Sequence, residues 1–105
     1  MHSRYFKSER KGVLAVFIIV YDISSDKLRT HFSKFLSRFG RRLQFSVFEI
    51  KNSPRILDNI RTEIKASYEP KFDQGDSVLV LHVNDNAVID RFGHAANEET
   101  DLLFF

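Results

Sequence analysis

The residues of this chain best suited to chemistry begin with one carboxylate, Asp22, which ends an apolar run in "AVFIIVYDISSDKLRTHF", residues 15 to 32. Two readings of it are open. An aspartate after a strand can tighten the turn or cap the next helix, although Ser24, Ser25 and Asp26 already supply capping groups here. Alternatively, the carboxylate binds a hard divalent cation. Magnesium typically takes only one or two protein carboxylates and keeps water or phosphate as its other ligands. A single aspartate per chain then suffices if a dimer brings two together.

Beyond Asp22 lies a second group with chemical meaning. Lys27, His31, Lys34 and Arg38 recur at helical spacing, Arg41 and Arg42 continue the series, and no acidic residue interrupts positions 27 to 42. Lysine and arginine in such a row can neutralise phosphates without reading bases. The same row can also be ordinary solvated charge. The net charge of +2 conceals a division: residues 1 to 51 hold eleven Lys and Arg against four acids, and residues 52 to 105 hold five against ten. One part of the surface is therefore suited to a polyanion.

Other chemistries find no residues. The chain has no cysteine, which removes disulfides, thiolate metal sites and cysteine nucleophiles and fits a reducing compartment. His2, His31, His82 and His94 show no zinc-helix spacing. No glycine-rich phosphate loop, dinucleotide fingerprint or nucleophile elbow occurs. His82, within "LVLHV", reads as a strand residue satisfied by a neighbour, and most of the eleven phenylalanines read as core.

The elements that must position Asp22 and the cations follow from periodicity. Val13 to Tyr21 is apolar at nearly every position, which predicts a central strand covered on both faces. Ser24 or Ser25 caps a helix whose apolar positions are Leu28, Phe32, Phe35, Leu36 and Phe39, with Gly40 expected as a left-handed C-terminal cap. In "RRLQFSVFEIK" the alternation Leu43, Phe45, Val47 slips phase to Phe48 and Ile50, so the strand must bulge, bend or split near Ser46 to Val47. Ser53 caps a second helix with Pro54 in its first turn and Leu57, Ile60, Ile64 and Tyr68 on one face. Gly75-Asp76 is turn chemistry before the strand "SVLVLHV".

That order, strand, helix, strand in two parts, helix, strand, predicts an α+β fold: a ferredoxin-like βαββαβ antiparallel sheet with both helices on one face. The expected organisation is a basic arm over 1–12, one domain over 13–94 and a tail over 95–105. At 105 residues the domain gains from oligomerisation. The apolar run Val13 to Val20 lacks a cleavage motif and falls short of the roughly 20 residues of a membrane span, so a cytoplasmic protein without membrane attachment is expected.

Residues 20 to 50, "VYDISSDKLRTHFSKFLSRFGRRLQFSVFEI", resemble the signature of the CRISPR-associated protein 2 family, the small partner of the CRISPR integrase. The shared positions are Tyr21, Asp22, Gly40, Gln44, Ser46, Val47, Phe48 and Glu49. The resemblance implies a homodimer in which Asp22 of each subunit faces its mate as catalytic and metal-binding residue, with Mg²⁺, or Mn²⁺ in its place, as cofactor. Tyr21, Ser46 and Phe48 are the implied supporting residues. It further implies metal-dependent endonuclease activity on RNA or double-stranded DNA, with members differing in activity. In spacer acquisition, the resemblance implies a dimer that bridges two dimers of the integrase, CRISPR-associated protein 1, and holds the DNA. Arg29 and Arg42 fall where the family tends to be basic, while His31 replaces a residue often basic in relatives, which makes charge there pH-dependent. The arm before Val13 is longer than in many relatives and is either a DNA contact or a flexible extension. The C-terminal "TDLLFF" resembles the family's last strand, which joins the partner subunit's sheet.

Three functions follow as expectations. One is a DNA-binding bridge in spacer acquisition, contacting phosphates through Lys27, Arg29, Lys34, Arg38, Arg41 and Arg42. Another is a Mg²⁺-dependent endonuclease built on Asp22, for which no histidine or lysine is an obvious general base. The third is a small-ligand regulatory domain on the same fold, for which nothing in the sequence marks a pocket.

Overall fold

The structure is a computed structural model and describes residues 14–84 and 86–93. The expected N-terminal arm and C-terminal tail strand lie outside the described residues. Strands β1 (Ala15–Asp22), β2 (Arg41–Gln44), β3 (Val47–Asn52) and β4 (Ser77–Val83) form one sheet in the order β2-β3-β1-β4, every pair antiparallel. Helices α1 (Asp26–Ser37) and α2 (Pro54–Glu63) connect them. The expected α+β plan, βαββαβ and ferredoxin-like, is the observed one.

Alternation sorts β1 between two environments. Phe17, Ile19 and Tyr21 join Ile23 in the core, against Phe32, Phe35 and Leu36 of α1 and Leu57 and Ile60 of α2. Phe32 and Phe48 are almost fully buried, and truncating either to alanine costs about 3–5 kcal/mol in cavity and lost transfer energy. Val16, Ile18, Val20 and Asp22 have the opposite parity and share the helix-free face with Leu79 and Leu81, which are 60% and 48% exposed. The sequence predicts cover on both faces of β1. Among the described residues, the helices cover one.

Both helix starts follow the capping rule. The Ser25 hydroxyl accepts the Leu28 amide at 3.1 Å, and the Ser53 hydroxyl accepts the Ile56 amide at 3.2 Å. Each cap contributes about 1 kcal/mol. The second helix departs from the expected uniform run: after Glu63 it widens into a π turn, Ile64–Tyr68, and then tightens to a 3₁₀ turn, Glu69–Lys71.

Gly40 also differs from expectation. Positive φ among the described residues occurs at Gly75 and Gly93, not at Gly40. Its small size is needed instead because a Cβ there would collide with the Glu49 carbonyl and lie 2.6 Å from Ile50 Cδ1. The phase slip is resolved by splitting the segment into β2 and β3 around a turn at Phe45–Ser46, with a register shift between Arg42 and Gln44.

Candidate functional site

Asp22 is the last residue of β1, exposed, opposite Ser77 on β4 and on the helix-free face by parity. Its surroundings are held firmly. The Tyr21 amide donates to the Ser46 carbonyl at 3.1 Å, and the Tyr21 hydroxyl donates to the Phe45 carbonyl at 3.4 Å. The Tyr21 ring meets Phe32 edge-on at 5.0 Å and stacks on Phe48 at 6.3 Å. Tyr21 and Phe48 thus lie in the core, and Ser46 meets β1 through its backbone; these residues fix the strand end that carries Asp22.

On the other side, the loop after β1 is clasped by Asp76. Its carboxylate accepts the Ser24 amide through Oδ1 and the Asp73 amide through Oδ2, each at 2.9 Å. Those bonds, the Asp73 amide foremost and Ser24 next, hold its carboxyl below the ordinary carboxylate value. Sequence reading reached the Gly75-Asp76 turn but not this clasp, because Ser24 and Asp76 meet only through strand pairing.

The expected cations divide into two groups. Lys27, His31 and Lys34 are exposed on α1, Arg38 is exposed at its C-cap, and Arg41 is exposed on β2. Among the described residues, Lys27, Lys34 and Arg38 make no ion pair, whereas Arg41 Nε meets Glu49 Oε1 at 2.8 Å. The Arg38 guanidinium lies 5.6 and 5.5 Å from the Phe35 and Phe39 ring centroids.

Arg29 and Arg42 do not stand with that row. Arg29 donates through Nη1 to the Ile23 carbonyl at 3.0 Å and pairs through Nη2 with Asp26. Arg42 is only 9% exposed; it donates to the Phe45 carbonyl and lies 4.9 Å from the Phe48 ring centroid. The register shift after Arg42 accompanies this placement, with Arg42 opposite the core residue Phe48. Both guanidiniums flank the ring of Phe45, at 6.0 and 5.9 Å, while that ring stays 59% exposed.

As a metal donor set, the described residues offer the hard oxygens of Asp22 and contain no group of three or more metal-ligating side chains. One exposed carboxylate fits the sparse protein share of a magnesium shell, with water or phosphate as the remaining ligands. Among the described residues, no helix is long and apolar enough to cross a membrane.

Comparison with known proteins shows the family of the chain. A curated relative, the CRISPR-associated endoribonuclease Cas2 4 of Rhodospirillum rubrum, is 38% identical over 58 residues, 55% of this chain and 47% of the relative. The CRISPR-associated endoribonuclease Cas2 3 of Synechocystis sp. is 29% identical over 58 residues, covering 63% of that protein. The matches therefore span about half to under two thirds of these relatives' length. Among solved structures, a hypothetical protein from Thermus thermophilus superposes with a TM-score of 0.65 at 25% identity, covering 80% of this chain and 96% of that one. A structure described as cas2 gives a TM-score of 0.64 at 24% identity, covering 79% and 91%, and shares the fold. The family described as CRISPR associated protein Cas2 matches residues 15–90, from the start of β1 to beyond β4, and the chain belongs to that family.

Proposed function

We propose that this protein acts in CRISPR spacer acquisition as a homodimer that binds duplex DNA through its phosphates and bridges dimers of the CRISPR integrase. The observation that carries the reading is the exposed row Lys27, His31, Lys34 and Arg38 on one helix face, whose lysines and Arg38 lack ion pairs among the described residues. Such a row offers charge to a phosphate backbone without requiring contacts to base edges. The dimer is supported by Ile18, Val20, Leu79 and Leu81, apolar residues of the helix-free face that are not buried in the single chain. That face also carries Asp22 at the end of β1, and a two-fold axis passing beside that strand end would bring two carboxylates together.

A second reading, metal-dependent endonuclease activity on RNA or double-stranded DNA, is favoured by the exposed position of Asp22 and by the endoribonuclease names of the curated relatives. Asp22 of each subunit would hold Mg²⁺ or Mn²⁺. A bound ion of this kind supplies Lewis acidity and lowers the pKa of an attacking water. Hydrolysis adds that water's oxygen to phosphorus, breaks one P–O ester bond and sends a proton to the leaving oxygen. The role of the residues around Asp22 is positional: Tyr21 and Ser46 lock the strand end, and the Asp76 clasp holds the following loop.

Wild type and Asp22→Ala, incubated with single-stranded RNA and double-stranded DNA in Mg²⁺ or EDTA, test both readings. The bridge requires duplex binding that weakens steeply with salt and survives in Asp22→Ala. Cleavage confined to wild type with metal establishes Asp22 as catalytic. Absence of duplex binding at low salt overturns the bridge.

A further inference from the structure

Between the start of α1 and the π and 3₁₀ turns that follow α2 lies a cleft of about 400 Å³, a volume within the range of small-ligand sites. One wall is Ser25, Lys27 and His31; the other is Ser67, Tyr68 and Lys71. Among the described residues no carboxylate lines it, although Glu63 acts on Tyr68 from nearby. A neighbouring cleft shows the ordinary alternative: Arg61 and Lys65 share it with Glu69 and Asp76, and Lys65 pairs with Glu69 at 3.6 Å. Charge of one sign therefore distinguishes the first cleft.

The local chain conformation builds the second wall. The π turn Ile64–Tyr68 carries Ser67 and Tyr68, and the 3₁₀ turn that follows carries Lys71. Interruptions of this kind frequently accompany functional sites. Tyr68 is anchored by its ring, edge-on to Phe32 at 5.0 Å and tilted against Phe35 at 5.3 Å. Burial, reinforced by Glu63 and opposed by Arg38, pushes its phenol above the usual value, so the O–H remains a donor at neutral pH. The Ser25 hydroxyl oxygen accepts the Leu28 amide, which leaves its hydrogen to donate.

We propose that this cleft binds a phosphate monoester, with Lys27 and Lys71 closing on the phosphate from opposite walls and Ser25, Ser67 and Tyr68 donating hydroxyl hydrogen bonds. A monoester presents up to two negative charges on three terminal oxygens, which suits converging ammonium groups and hydroxyls better than the single charge of a carboxylate. The inference deepens the nucleic-acid reading of the protein: the ester is the terminal phosphate of a strand or of a free nucleotide. Of the cleft's lysines, only Lys71 lies outside the α1 row, and it is the residue that separates this site from simple backbone binding.

Anisotropy with a short end-labelled single strand, carrying either a phosphate or a hydroxyl at its free end and measured in EDTA, tests the proposal. Terminal phosphorylation tightens binding about tenfold, and Lys71→Ala removes that advantage while leaving binding of the hydroxyl-ended strand and of duplex unchanged. Lys34→Ala weakens both strands equally. Competition by a nucleoside monophosphate but not by inorganic phosphate identifies a nucleotide site; competition by both identifies a site for the phosphate group itself. If duplex binding is absent but a nucleoside monophosphate binds in a Lys71-dependent way, the cleft stands and the bridge reading falls. Equal affinity for the two strand ends, or an advantage that survives Lys71→Ala, overturns the proposal.

Discussion

The Asp76 carboxylate accepts the Ser24 amide at 2.9 Å, joining the loop that follows the first strand to the turn that precedes the last. Because amide donors from Asp73 and Ser24 lower its folded-state pKa, Asp76 contributes stability above the ordinary carboxylate pKa of about 4 and loses it as pH falls through the depressed value. Thermal midpoints from neutral pH downward should fall more steeply in wild type than in Asp76→Asn, the two curves converging in acid. Parallel curves would show that the clasp adds nothing.

Gly40 approaches the Glu49 carbonyl so closely that a methyl group must displace backbone. Gly40→Ala is expected to destabilise the protein by about 1–3 kcal/mol, although its φ is not positive. Urea denaturation measures this directly. A neutral result would mean that β2 can move away from β3 at no cost.

The helix-free face predicts association. Charge introduced at Leu79 and Leu81, both substantially exposed in the single chain, should leave the monomer folded and abolish self-association. The double variant L79E/L81E, compared with wild type by sedimentation velocity and circular dichroism, is expected to sediment as a folded monomer. A wild-type protein that is monomeric at high concentration would remove the basis for a shared Asp22 site.

Removing a cation from the α1 row should weaken duplex binding uniformly across sequences. Each of Lys34→Ala and Arg38→Ala is expected to reduce the slope of log affinity against log salt by about 1, the signature of one lost phosphate contact. Arg42→Ala makes a useful contrast, since its side chain is buried against Phe48; its main effect should be on thermal stability. A salt slope unchanged in both row variants would assign the duplex contacts elsewhere.

Much of this fold was legible because periodicity is a physical constraint on burial. The strand ending at Asp22, the caps at Ser25 and Ser53 and the break before Val47 all follow from alternation or capping chemistry. Less legible were features set by neighbours distant in sequence. Gly40 suits a left-handed cap as well as a tight crossing, and only the position of Glu49 decides between them. Arg42 continues the row of cations in sequence, but pairing with Phe48 places it against the core. The apolar run of β1 correctly signals two apolar faces, yet α1 and α2 cover only one of them. Pro70 marks the end of the helix, but nothing in the pattern of "TEIKASY" distinguishes a continuing α-helix from the π turn that forms the cleft wall.

The placement of β1 between β3 and β4 also constrains how the chain can fold. Pairing with β3 joins segments separated by one helix and a short strand, but pairing with β4 requires Val16 to find Val83 and Asp22 to find Ser77, near the far end of the described chain. Closing that long loop costs entropy before its contacts return any energy. The β1–β4 pairing is therefore the natural late event, and the strand end bearing Asp22 reaches its final environment only when the last strand docks.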